Sequence, residues 1–198
     1  MKKQTFIFAL LLGIFLSHLS WATETPIATI RKVHNLLLQY DDKSPQAERL
    51  KTEINQYFAL DLIAQKALLD HWNTMNVNQR KEYKRLMFEL LEKAVYTDTH
   101  DNLQKGKVRY KGQRLTGTRA TVLTNIYIPE DDMEVDNDFL MSLTGKIWVV
   151  QDIFIDGASL TEDYRSQFNK IVLDHGLEGD DQSLFARLRK AVQEDQDE

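Results

Sequence analysis

There is no cysteine in the 198-residue chain, so neither a disulfide nor a lipid anchored through a cysteine thiol is available to it. Metal-ligand spacing is missing too. Four of the five histidines lie beyond the first twenty-two residues, at His34, His71, His100 and His175, and none pairs with another at ligand distance. No HExxH, P-loop or dinucleotide fingerprint occurs. Gly157-Ala158-Ser159 begins like a nucleophile elbow, but Thr161 stands where the second glycine belongs. An excess of positive charge is also absent: 25 basic residues face 30 acidic ones, a balance that disfavours general nucleic-acid binding. With no covalent staples, stability must come from a hydrophobic core, and the chain is long enough to bury one.

The N-terminus has its own character. Met1-Lys2-Lys3 opens positively, Phe6 to Leu16 is apolar without a charge, and Ser20-Trp21-Ala22 supplies the small residues of a cleavage site. This layout predicts a secretory signal over residues 1–22, removed after Ala22. The apolar run is too short to span a bilayer, which needs roughly 20 residues. A single domain over residues 23–198, soluble after export, is expected.

Helical spacing dominates the first half. Ile30, Val33, Leu37 and Tyr40 share a face, and Ser44-Pro45 reads as a helix start ahead of Leu50, Ile54 and Tyr57. Asp61 is expected to cap a short helix. Asn76 is expected to cap a longer one striped by Tyr83, Leu86, Met87, Leu90, Leu91, Ala94 and Val95. The middle turns to period two. Strands are expected over 107–111, 118–128, about 133–143 and 147–155, with Ala120, Val122, Thr124, Ile126 and Ile128 on one face of the second. The fourth is apolar on both faces: Trp148, Val150 and Phe154 on one, Ile147, Val149, Ile153 and Ile155 on the other. Helices covering both faces, or one face lining a cavity, would account for that. Ser159 and Glu162 have capping-box spacing before a helix carrying Leu160, Tyr164, Phe168 and Ile171. Gly176 stands at its C-cap, and a last short helix holds Leu184, Phe185, Leu188 and Val192. The sum is one α+β domain: N-terminal helices, a four-stranded antiparallel meander and C-terminal helices, with an apolar pocket between sheet and helices.

Two charged stretches invite a binding role. Glu130, Asp131, Asp132, Glu134, Asp136 and Asp138 have the carboxylates for calcium but not the glycine of an EF-hand loop, and they read as solvated turn and strand. Lys105, Lys107, Arg109 and Lys111 form a basic row that suits a solvated strand face, a phosphate headgroup or an acidic partner.

The run Trp148-Val-Val-Gln-Asp152-Ile-Phe-Ile-Asp156-Gly157-Ala-Ser159, continuing into Tyr164-Arg165-Ser166-Gln167-Phe168, resembles the MlaC-type periplasmic phospholipid-binding proteins, also called the toluene-tolerance auxiliary family. A second stretch agrees: Tyr57-Phe58, Asp61, Ala67-Leu68, Trp72, Gln79-Arg80, Tyr83, Phe88 and Leu90-Leu91. The likeness extends over roughly residues 30–190. Leu69 departs from it by standing where the family usually has glycine, and Gln151 by replacing a usual tyrosine. Asp163 stands where asparagine is common, and residues 180–183 look like a small insertion.

The resemblance implies a non-enzymatic, soluble periplasmic carrier with no cofactor besides its phospholipid cargo. Its implied partners are an inner-membrane MCE-domain ABC transporter and an outer-membrane lipoprotein-porin complex, and its implied role is maintaining outer-membrane lipid asymmetry. The lipid-binding residues expected from the sequence are Val122, Ile126, Trp148, Val150 and Phe154 from the sheet, with Leu91, Val95, Tyr164 and Phe168 from the helices. A periplasmic protein-protein adaptor, or a carrier of another lipid such as a hopanoid, is the alternative.

Overall fold

The first helix, α1 (Pro26–Leu37), starts where the Thr25 hydroxyl accepts from the Ala28 N–H and Pro26 fills a position needing no donor. The computed structural model describes residues 24–93, 96 and 99–193. Residues 1–23 (the expected export signal among them), Ala94, Val95, residues 97–98 and the last five residues fall outside that set. Among the described residues, α2 (Ala47–Asn55), α3 (Leu60–Leu68), α4 (Asp70–Thr74), α5 (Val77–Lys93) and α6 (Thr99–Lys105) also precede the sheet. The sheet comprises β1 (Lys107–Thr116), β2 (Arg119–Ile128), β3 (Met133–Thr144), β4 (Ile147–Ile155) and β5 (Ala158–Ser159), and α7 (Leu160–His175) and α8 (Leu184–Gln193) complete the domain.

The sheet is antiparallel in the order β1-β2-β3-β4-β5. It therefore has five strands where four were expected. Asp156 and Gly157, both at positive φ (49° and 83°), turn the chain back so that Ala158-Ser159 pairs with Phe154-Ile155. Consecutive left-handed residues are what a two-residue hairpin requires. Ser159 has two tasks: it ends this short strand, and its hydroxyl accepts from the Glu162 N–H to cap α7.

Asn76 caps α5 as expected, accepting from the N–H groups of Asn78 and Gln79, while the Gln79 side chain accepts from the Asn76 N–H. Two expected starts move. Ser44 accepts from the Gln46 N–H within a turn, so α2 begins only at Ala47. Ala59, not Asp61, precedes α3, and Asp61 lies in its first turn, paired with Lys84. β1 runs five residues past Lys111, because an irregularity between Tyr110 and Gly112 absorbs the glycine inside the strand.

Apolar packing falls into three neighbouring groups. Tyr83, Leu86, Met87, Phe168, Leu184 and Phe185 build a core between the helices. Val33, Leu37, Ile54, Ile126 and Ile128 join α1 and α2 to the sheet. Ile30, Val122, Phe139, Met141, Trp148 and Val150 form the third group against the sheet's inner face.

Candidate lipid-binding cavity

Alternation along β2 places Ala120, Val122, Thr124, Ile126 and Ile128 inward, and all five are buried. β4 does not keep a single alternation. Met141 pairs with Val150 but the preceding residue, Leu140, pairs with Asp152, so Gln151 is an extra residue on β4. Such a bulge reverses which side chains face inward beyond it. Trp148 and Val150 face the core before the bulge; Ile153 and Ile155 face the same side after it, and Phe154 turns to the other. Part of this strand's two-sided hydrophobicity is thus one inner face written in two phases, while Ile147, Val149 and Phe154 stay on the other side.

The extra residue is held on both sides. Gln151 donates to the Ser142 hydroxyl at 2.6 Å. Across the other edge of β4, Val150 N–H donates to Tyr57 C=O (2.7 Å) and Ala59 N–H to Val150 C=O (2.8 Å), so the segment leading into α3 continues the sheet where β5 is absent. Asp152 then ties the strand to α7. One of its oxygens accepts from the Ile153 N–H and from both the N–H and hydroxyl of Thr161, and the other accepts from Ser159 at 2.6 Å.

Between the inner face and the helices lies a cavity of about 280 Å³. Val33, His34 and Leu37 of α1 line it, with Phe58, Thr99 and Asn102 of α6, and Leu160 and Tyr164 of α7. The sheet contributes Ile126, Ile128, Val135, Asn137, Phe139, Ile153 and Ile155. The lining is predominantly aliphatic and aromatic, with His34, Asn137, Thr99 and Asn102 as its polar members. A broader depression of about 840 Å³ opens elsewhere, but Asp41, Asp42, Lys51, Glu89, Glu92 and Asp101 give it a wet, charged lining unsuited to hydrocarbon.

His34 is the unusual member. It is 2% exposed, and burial, followed by the nearby Arg31 charge, pushes its pKa down to about 4, so the ring is neutral at physiological pH. Its Nδ1 lies 2.9 Å from the Tyr110 hydroxyl, and Phe139 meets the ring edge-on at 5.7 Å.

Of the residues expected to touch lipid, Ile126 and Tyr164 line this cavity. Leu91 reaches only a small void of about 10 Å³ that shares Phe58, Ile153 and Leu160 with it. Val122, Trp148 and Val150 are packed in the sheet core. Phe168 lies in the helical core, stacked on Tyr164 (5.5 Å) and edge-on to Tyr83 (6.3 Å). Phe154 is on the far face, and Val95 is outside the described residues. The sequence reading missed Ile153, Ile155, Phe139 and His34. For the first two the signal was hidden by the bulge. His34 follows Val33 and lies one helical turn beyond Ile30, so the phase of α1 already put it on the buried side.

Comparison with known proteins decides the family. The family model described as MlaC protein matches residues 28–190. The chain belongs to the MlaC family. No curated protein sequence matches it. Among solved structures it is similar to the phospholipid-binding protein from Ralstonia solanacearum, determined in complex with a phospholipid. The TM-score is 0.66 at 19% identity, with 84% of this chain and 96% of the other covered. At that identity the likeness is one of fold.

Most of the MlaC-like motif has a structural task here. Asp152, Asp156, Gly157 and Ser159 build the strand-turn-helix junction, while Arg165 pairs with Glu162 on the surface. The basic row is exposed, and Lys111 pairs with Asp136. Among the described residues there is no group of three potential metal ligands, and no helix long and apolar enough to cross a membrane.

Proposed function

We propose that this chain is a periplasmic phospholipid carrier, exported by residues 1–22. It moves lipid between an outer-membrane lipoprotein-porin complex and an inner-membrane MCE-domain ABC transporter, and so maintains outer-membrane lipid asymmetry. The observation that carries this reading is the apolar cavity between the inner sheet face and α1, α6 and α7. Membership of the MlaC family and the phospholipid held by the Ralstonia protein support it.

The physics of the task is simple. Each methylene withheld from water contributes about 0.8 kcal/mol, so acyl chains leave a bilayer readily only for another apolar enclosure. Carriage breaks no bond and requires no nucleophile, base or metal. At 280 Å³ the cavity is at the lower end of the roughly 300–1,000 Å³ range of small-molecule sites. It fits part of a chain, and loading a whole two-chain lipid requires its walls to part.

Native mass spectrometry of the mature protein, followed by lipid extraction, tests the reading. Two-chain phospholipid near one per protein is the expected result. A folded protein that stays empty after incubation with vesicles overturns it and favours the adaptor role.

A further inference from the structure

His34 lines the cavity, and its Nε2 is fully buried with no hydrogen-bond partner. Asn137 Oδ1, on another wall of the same cavity, is likewise buried and unpartnered. Native proteins rarely leave buried polar atoms unmatched, and each such atom calls for a partner. Both occur on side chains that line an otherwise greasy space.

The chemistry of the pair can be assigned. The His34 ring is neutral, as its burial beside Arg31 requires. At its Nδ1, the Tyr110 phenol is the stronger acid and the imidazole the stronger base, so the hydroxyl donates and Nδ1 accepts. The second ring nitrogen then carries the proton and is an unused donor on a cavity-lining side chain. Asn137 offers an acceptor, while its backbone carbonyl is already engaged by Thr124.

We propose that His34 and Asn137 form a polar foothold within the apolar cavity, where the His34 Nε2–H donates to an ester or hydroxyl oxygen of the bound lipid. The inference rests on the carrier reading and adds a selection rule to it: the cargo must bring an ester carbonyl or hydroxyl oxygen to this depth. An ester carbonyl satisfies the histidine alone, whereas a hydroxyl on the chain satisfies both residues. A pure hydrocarbon segment at this position leaves both unsatisfied.

The test compares uptake from vesicles of three lipids sharing one headgroup: a diester, its diether analogue, and a diether with a hydroxylated chain. Wild-type protein is expected to favour the diester or the hydroxylated lipid over the plain diether by about tenfold, equivalent to ~1.4 kcal/mol. Which of the two is preferred identifies the source of the oxygen. In His34→Phe the preference among the three lipids should disappear, whatever the variant's overall uptake. Equal uptake of all three by wild type, or an unchanged preference in the variant, overturns the foothold. Failure to take up any of them overturns the carrier reading itself. Nitrogen NMR of His34 in the wild-type protein supplies a check independent of the variant's folding. Loading should shift the Nε2–H signal of an already Nε2-protonated ring, and a signal unmoved by any of the three lipids is incompatible with the proposal.

Discussion

Asp152 and Thr161 are joined twice: one carboxylate oxygen accepts from the Thr161 N–H at 3.2 Å and from its hydroxyl at 2.8 Å. The same side chain holds the Ser159 hydroxyl, so the end of β4 and the start of α7 are fastened by one residue. Asp152→Ala should destabilise the domain by about 2–3 kcal/mol, since it removes charge-assisted hydrogen bonds and strands a buried threonine. Urea unfolding reads this directly. Asp152→Asn retains acceptor capacity and should lose less.

Leu69 occupies a backbone conformation that side chains avoid, φ 43° and ψ −111°, between α3 and α4. The side chain is 49% exposed, so little packing is given up by removing it. Leu69→Gly should therefore stabilise the protein by about 1 kcal/mol, the relief of strain exceeding the entropy cost of glycine. A rise in Tm of about 2–4 °C is the expected readout. A fall would show that the leucine contributes more by contact than its conformation costs.

The two phases of β4 make a paired prediction about cargo. Ile153→Glu places a charge in the cavity wall and should abolish copurifying lipid. Phe154→Glu, one residue on, points to the opposite face and should retain it. Lipid extraction from both folded variants separates this from a strand read by simple alternation, in which Phe154 would be the damaging site.

Acid should weaken the fold through His34. Unfolded, the ring titrates near its usual 6.5; folded, near 4. Between those values the unfolded chain binds a proton that the native chain does not. The contribution is thus complete above pH 6.5 and is lost as pH falls through that window, to an extent on the order of 3 kcal/mol. His34→Gln removes the titration. The stability difference between wild type and variant should shift in the variant's favour as pH falls from about 7.5 to about 4.5, and a constant difference would falsify the assignment.

Much of the architecture was legible in spacing alone. The stripe of α1, the Asn76 cap, the inner face of β2 and the Ser159 cap each follow from local rules that tertiary contacts left intact. The cavity wall was less legible because its residues are set by register between strands. Nothing in Trp148 to Ile155 marks Gln151 as unpaired until β3 is aligned beside it. β5 escaped notice for a related reason, since two residues have no periodicity to show. His34 belongs to no motif, and only its phase on α1, one turn from Ile30, marks it as buried.

The unpaired Gln151 also sets how this protein tolerates changes of length. Deleting that one position, unlike replacing it, would give β4 a continuous period of two. Trp148, Val150, Ile153 and Ile155 would then alternate without a break on the inner face, and Asp152 and Phe154 would stay on the outer one. The loss of that single codon would straighten the strand and leave this wall in place, an outcome that no scan of substitutions along the strand would reveal.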